Sequence, residues 1–310
     1  MEFRTIVDIQ KPDFEIEPCE EMLFVGSCFA DSIGQCFREE GFPVTVNPYG
    51  TMYNPASILH TIERFFADER SPLPSTVFLT LGTNHVYRLK ETGEIVDNCQ
   101  KRPQSLFQEE ELTTEQCADY LLQAVKLLRL HNSSVRIVLT VSPIRYRKYG
   151  YHESQLSKAT LLLAIKQLID QFSNSQFSIS NSQFSISNSQ FSISNSQFSI
   201  SNSQFSIFNF QFSISYFPSY EIVLDELRDY RFYAPDMLHP SQQAVGYIWE
   251  RLVETMFSPS AKAFLEEWRP LKQALAHKPF NPEAPEYKAL MDKTMLKVAE
   301  LRKKYPTFAL

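Results

Sequence analysis

Apolar positions along the chain follow two spacings in turn, the short unbroken runs of buried strands and the three-to-four spacing of amphipathic helices. Met22 to Val25 is an apolar run ending at Gly26, after which Ala30, Ile33 and Phe37 recur at helical spacing until Gly41. This predicts a strand, a tight turn and a helix. Phe42 to Val46 is a second strand candidate, closed by Asn47-Pro48-Tyr49-Gly50, and Asn54-Pro55 offers an N-cap and an N1 proline to a helix carrying Ile58, Leu59, Ile62 and Phe65. Val77 to Leu81 predicts a third strand running into Gly82-Thr83-Asn84. A long helix is expected after Thr113-Thr114, with Leu121, Leu122, Val125 and Leu128 on its buried side. Val135 to Val141 is mostly β-branched and interrupted only by Arg136; apolar on both faces, it suits the centre of a parallel sheet. Leu156 to Ile169 reads as helix, Glu221 to Leu224 as a fifth strand, and Ala244 to Phe257 as a final amphipathic helix.

Strands alternating with helices imply a three-layer α/β/α, doubly wound domain over residues 1–258. Ligands of such sheets bind at the carboxyl ends of the strands, where Gly26, Gly50 and Gly82 fall. Residues 259–310 read as a helical C-terminal extension, two helices separated by a proline-bearing loop from Lys278 to Pro285 and packed on the domain or on a partner. The pattern breaks at a heptapeptide, N-S-Q-F-S-I-S, which begins at Asn174 and recurs at 181, 188 and 195 before degenerating at 202 and 209. Its Phe and Ile fall two apart and then five apart, so they build neither a helical stripe nor a constant strand face. Uncharged and dominated by Ser, Asn and Gln, residues 172–215 read as a low-complexity insertion of disordered or β-aggregation-prone composition, tolerated in a surface loop. The alternative is a module that pairs strands with other copies or with a partner.

Composition narrows the classes of function. The 310 residues are 43% hydrophobic and 21% charged with a net charge of -6, which provides no basic footprint for nucleic acid or for an anionic membrane. The cluster Lys293, Lys297, Arg302, Lys303 and Lys304 is interleaved with apolar residues at helical spacing and reads as a solvated helix face. The first residues are acidic where a signal peptide is basic, and no stretch approaches roughly 18 continuous apolar residues, so a soluble, cytoplasmic protein is expected. Cys19, Cys28, Cys36, Cys99 and Cys117 are scattered, without a C-x-x-C pair, which argues against a disulfide framework or a zinc site. No glycine-rich dinucleotide or phosphate-loop fingerprint is present.

Candidate chemistry lies at the predicted strand ends. In Tyr233-Ala-Pro-Asp236-Met-Leu-His239-Pro-Ser241, just before the last helix, the spacing lets the Asp236 carboxylate fix one imidazole nitrogen of His239 and leave the other as a base. Gly26-Ser27-Cys28 ends the first strand with two nucleophiles side by side. Together with Gly50, Gly82-Thr83-Asn84 and the D-x-x-H pair, this order of blocks resembles the SGNH, or GDSL-like, hydrolases, and Gly26-Ser27-Cys28-Phe29-Ala30 spells the motif of the GSCFA family, a bacterial group within that superfamily. The resemblance covers about residues 20 to 257, without the repeat.

It implies a mostly parallel five-stranded sheet of order 2-1-3-4-5, His239 as general base, Asp236 as its orienting partner, and oxyanion donors in the Gly50 N–H and the Asn84 side chain beside the nucleophile's own N–H. Asn84 read by itself is also a turn or cap residue, and Gly50 a turn glycine. Laid on Gly-Asp-Ser, the first block puts Cys28 at the nucleophile, while a shift of one residue would restore Ser27. On the helical side that shift turns a side chain by about 100°, so only one of the two can face His239. The glycine that closes the strand in both patterns favours Cys28, since a helix N-terminus and a neighbouring imidazole acidify a thiol; Ser27 is then a supporting donor or the alternative nucleophile. Cys28 as a small buried hydrophobe is the bland alternative.

Thr83, His85, Tyr87 and Arg145 follow strands three and four as candidate substrate-binding residues. Arg145 would hold an anionic group or a structural ion pair, and His85 would compete with His239 as base without a carboxylate near it in sequence. The implied activity is acyl transfer from an ester or thioester, with small-molecule or glycan acyl esters as partners and no metal or redox cofactor. The competing expectation is a ligand-binding protein on a decayed hydrolase scaffold.

Overall fold

The computed structural model describes residues 4–97, 99, 102–174 and 214–310, so the repeat lies outside the described residues over 175–213. β1 (Met22–Gly26) leads into α1 (Cys28–Glu39), β2 (Val44–Val46) into α2 (Pro55–Ala67), and β3 (Thr76–Leu81) into an antiparallel excursion of β4 (His85–Leu89), β5 (Ile95–Val96) and β6 (Phe107–Glu111). Then come α3 (Thr114–His131), β7 (Arg136–Val141), α4 (Tyr151–Asn174) and β8 (Ile214–Tyr216). A single turn, α5 (Ser219–Glu221), continues into a π-helical segment (Ile222–Leu227) before α6 (Gln242–Met256), α7 (Pro259–Ala276) and α8 (Pro285–Lys304).

The main sheet has the order β2-β1-β3-β7-β8 with every pair parallel. Counting only its own strands, this is the order 2-1-3-4-5. The strand period of two divides the core between the sheet faces. Met22 and Phe24 of β1, with Phe78 and Val138, pack under α1, α6 and α7, whereas Leu23 and Val25, with Val77, Leu79, Ile137 and Leu139, pack under α2, α3 and α4. Covered on both faces, the strands carry the near-continuous apolar runs that parallel sheets require. The predicted Asn54 cap forms, its Oδ1 accepting from the Ser57 N–H at 2.9 Å, and at the predicted start of α3 Thr113 forms a capping box with Gln116.

Two expectations are corrected. Glu221–Leu224 is not the fifth strand; it lies in the α5 and π-helical segment, with Ile222 and Val223 in the core. A short apolar run carries no period of its own, and Pro218, three residues before Glu221 and at the start of α5, favours a helix start. The fifth strand is β8, whose Ile214 and Ser215 had been counted with the repeat they resemble. The excursion β4–β6 was not foreseen.

The C-terminal extension packs on the domain itself. Trp268 Nε1 donates to the Glu39 carbonyl at 3.2 Å, Ala309 N donates to the Gly41 carbonyl at 2.9 Å, and the Phe308 ring lies so close to Gly41 that a β-carbon there would meet it at 2.0 Å. Among the described residues no helix is long and apolar enough to cross a membrane.

Candidate active site

The turn between β1 and α1 is fixed by close packing. Gly26 has φ +145°, and a β-carbon on it would stand 2.1 Å from the Thr80 carbonyl oxygen, so only glycine lets β1 end against β3 this way. Asn47, at φ +42°, pins the turn from the side: its Oδ1 accepts from the Gly26 N–H and its Nδ2 donates to Asp31 Oδ1, both at 2.9 Å. Asn and Asp tolerate positive φ better than other side chains with a β-carbon, which suits Asn47 to this corner.

The two adjacent nucleophiles then diverge. Ser27 is the N-cap of α1; its Oγ accepts from the Phe29 N–H at 3.3 Å, lies 3.4 Å from Thr80 Oγ1, and the residue is 1% exposed. A serine engaged this way satisfies one of the helix's orphan donors and faces the interior, against the expectation of Ser27 as an alternative nucleophile. Cys28 is the first helical residue, half-buried, with Sγ 3.5 Å from the Tyr53 hydroxyl. At that position its own N–H has no intrahelical acceptor. Burial pushes the thiols of Cys19 and Cys117 up to about 12 and that of Cys36 to about 11.

The D-x-x-H segment is locally closed. Asp236 Oδ1 accepts from the Leu238 and His239 N–H groups at 2.9 and 3.0 Å, and Oδ2 meets His239 Nδ1 at 2.5 Å. Met237, at φ +59°, makes the tight return possible. These hydrogen bonds hold the Asp236 carboxyl down at about 2, the two backbone donors contributing most. An ionised carboxylate cannot donate, so Nδ1 carries the proton of this hydrogen bond and Nε2 is the ring nitrogen left outside it. Both side chains are a little under half exposed.

No hydrogen bond among the described residues joins His239 to Ser27 or Cys28. Both groups nevertheless reach the same sheet edge through a short run of contacts. Tyr53 beside Cys28 has its ring 6.3 Å from that of Tyr146, and the neighbouring Arg145 N–H donates to the Leu238 carbonyl at 3.0 Å, next to His239.

The remaining candidates are mostly scaffold. Gly50, at φ +98°, is the turn glycine: its N–H donates to the Asn47 carbonyl at 2.9 Å, which corrects its expected role as an oxyanion donor. Asn84 is 3% exposed; Nδ2 donates to the Leu112 carbonyl at 2.9 Å, leaving one amide hydrogen, and Oδ1 has no partner among the described residues. Thr83, also 3% exposed, shares a 3.0 Å hydrogen bond with Ser157 and does not face open space. His85 is 7% exposed and stacked on Tyr149 at 3.9 Å, and burial lowers its pKa.

Tyr87 shares a 2.9 Å hydrogen bond with Tyr149. Arg145 does not form the expected structural ion pair among the described residues. Its NH1 donates to the Met237 carbonyl at 3.3 Å and its guanidinium lies over the Tyr151 ring at 4.3 Å, so it clamps the D-x-x-H loop with no ion pair among the described residues. Sequence reasoning missed Tyr53, Asn47 and Lys158. Lys158 is buried on α4 and donates to the Gly82 and Ser142 carbonyls at 2.7 and 2.8 Å, tying the ends of β3 and β7 together; only its place among apolar residues on a helix could have drawn attention to it.

A family profile described as the GSCFA family matches residues 21–73, 70–178 and 187–252, more than half of the chain. The chain belongs to the GSCFA family. A second profile, the GSCFA domain protein C-terminal domain, matches residues 268–310, the segment of α7 and α8. No curated protein matched this GSCFA chain significantly.

Among solved structures it is similar to a member of the lipolytic protein G-D-S-L family from Veillonella parvula, at 12% identity and TM-score 0.41, covering 76% of this chain and 96% of that one. It is also similar to a carbohydrate esterase family 3 protein from Talaromyces cellulolyticus, at 10% identity and TM-score 0.39, covering 80% and 99%. A family two carbohydrate esterase from Clostridium thermocellum is similar at 10% identity and TM-score 0.42, covering 77% and 64%.

Proposed function

We propose that this GSCFA protein takes an acyl group from an ester or thioester onto Cys28 and passes it to water or to another hydroxyl. The observation that carries the reading is the opposite disposition of the two neighbouring nucleophiles. Ser27 is buried and engaged as a helix cap, whereas the Cys28 thiol stands at the N-terminus of α1 on the carboxyl edge of the sheet.

In this reading Sγ attacks the carbonyl carbon as His239 Nε2 takes the thiol proton, and the π pair moves onto the carbonyl oxygen. Collapse restores the carbonyl and breaks the bond to the leaving alkoxide or thiolate, which receives the proton from His239. Water, deprotonated by the same nitrogen, then hydrolyses the thioester and regenerates the thiol. Asp236 fixes the tautomer and balances the imidazolium charge. Small-molecule and glycan acyl esters are the substrates to screen.

A second reading, a ligand-binding protein on the same scaffold, is favoured by the engagement of the Gly50 N–H and of one Asn84 amide hydrogen, which thins the set of donors. Labelling with an iodoacetamide probe and with a fluorophosphonate probe, across pH 5 to 9 and read by peptide mass spectrometry, separates the two. Alkylation of Cys28 ahead of Cys36 and Cys117, slowed at least tenfold in His239→Ala, is the expected result. Fluorophosphonate on Ser27 would overturn the choice of nucleophile, and no preferential modification of either residue would favour the binding protein.

A further inference from the structure

We infer that the hydroxyl of Tyr53 is the side-chain donor that stabilises the oxyanion when Cys28 is acylated, in place of the Gly50 N–H. The inference rests on Cys28 being the nucleophile. Tyr53 follows Gly50 by three residues in the same loop, and its Oη lies 3.5 Å from Cys28 Sγ. The oxygen that gains charge in the tetrahedral intermediate is bonded to the carbon Sγ attacks, so a donor touching Sγ is within hydrogen-bonding reach of it.

The tyrosine is fixed from three sides. Its carbonyl accepts from the Gly82 and Thr83 N–H groups, both at 2.8 Å, and its ring lies against Gly82, where a β-carbon would meet it at 3.2 Å. The Tyr146 ring stands 6.3 Å away. A donor held in this way needs no reorganisation as charge develops. Burial, with Cys28 beside it, also pushes the phenol above its ordinary range, so it remains a donor at alkaline pH.

The competing positions are less suited. The Gly50 N–H closes a turn onto Asn47, and Asn84 is 3% exposed with one amide hydrogen already on Leu112. In the step proposed, the C–S bond forms as the carbonyl π pair moves to oxygen. Tyr53 donates a hydrogen bond to that oxygen and keeps its proton, and the N–H of Cys28 is the second donor.

Two reagents separate this role from a general effect on the thiol. p-Nitrophenyl acetate acylates Cys28 through an oxyanion, whereas iodoacetamide alkylates it by direct displacement without one. Both rates are measured at Cys28 by peptide mass spectrometry in the full chain, across pH 5 to 9, for the unaltered protein and for Tyr53→Phe. Taking their ratio cancels any change in thiolate fraction, and an alkylation rate close to that of the unaltered protein shows that the variant is folded. The expected result is a fall of about 10²-fold in the ratio of acylation to alkylation. An unchanged ratio would overturn the inference while leaving Cys28 as the nucleophile. Absence of an acetyl adduct on Cys28 in the unaltered protein would overturn the acyl-enzyme reading and this inference together.

Discussion

Each end of the main sheet holds a cation, partly buried at one and fully buried at the other, and the two are held in opposite ways. At the amino end, Arg136 at the start of β7 pairs with Glu20 and donates to the Glu15 carbonyl at 2.7 Å, while Thr76 at the start of β3 donates to the same carboxylate at 2.5 Å. At the carboxyl end, Lys158 has two neutral carbonyl acceptors and the face of Tyr220 at 5.9 Å, with no carboxylate partner among the described residues. A guanidinium with its counter-ion keeps its charge at any physiological pH. A buried ammonium without one does not, and burial lowers Lys158 to about 7.

The comparison separates a fixed end from an adjustable one. The amino end fastens strands to one another. The carboxyl end fastens the departure points of two loops, one carrying Asn84 and the other carrying Arg145, which in turn clamps the Met237 and Leu238 carbonyls next to His239. Positive-φ residues occur at this end, at Asn47 and Met237, and also at Cys19 ahead of β1 and at Arg228 after the π-helical segment.

The largest expected effect is at the fixed end. Burial already outweighs Arg136 and raises the pKa of Glu20, so Arg136→Met leaves the carboxylate without its counter-ion, held only by the Thr76 hydroxyl and the Glu17 N–H. Denaturation at pH 7 should register a loss of about 3–5 kcal/mol, less at pH 5 where Glu20 can take a proton, with Glu20→Gln in the same chain recovering much of it. A loss below about 1 kcal/mol would erase the distinction between the two ends.

Lys158 is expected to contribute a pH dependence. Its folded pKa of about 7 lies below the unfolded 10.5, so below pH 7 it is charged in both states. Above pH 7 the unfolded chain holds the extra proton, and stability rises with pH toward 10.5. At most ~1.4 kcal/mol per pH unit is available, so the unaltered protein should gain about 2 kcal/mol between pH 7 and 9 relative to Lys158→Met. Parallel stability curves for the two proteins would show that the ammonium is not titrating there.

How far the sequence reached follows the same division. The fixed parts are legible because local periodicity carries them: four of the five parallel strands, the Asn54 cap, the start of α3 after Thr113 and both C-terminal helices lie where spacing puts them. β8 was hidden because its Ile-Ser-Tyr resembles the repeat before it, and Glu221–Leu224 offered a β-like run that Pro218 turns into a helix. At the site, the sequence brought Asp236 and His239 together because they are three residues apart. Contacts formed by topology escaped it: Tyr53 on Cys28, Asn47 on Gly26, and Lys158 on two carbonyls more than ten residues earlier in the chain. Arg145 was found for its charge, yet it works through backbone carbonyls, which no pattern of side chains reveals.

The smallest expected effect tests whether the adjustable end divides cleanly into scaffold and chemistry. Ser27 and Cys28 share a turn, but one caps α1 and the other presents a thiol. Ser27→Ala removes the acceptor of the Phe29 N–H and leaves the backbone, Gly26 and Asn47 contacts in place, so it should lower stability by about 1 kcal/mol. The alkylation rate of Cys28 should change by less than about twofold, because the lost bond lies on the buried side of the turn and the thiol on the other. A fall in alkylation as large as that of His239→Ala would mean that Ser27 acts on the thiol directly, and that cap and nucleophile are one device rather than two neighbours.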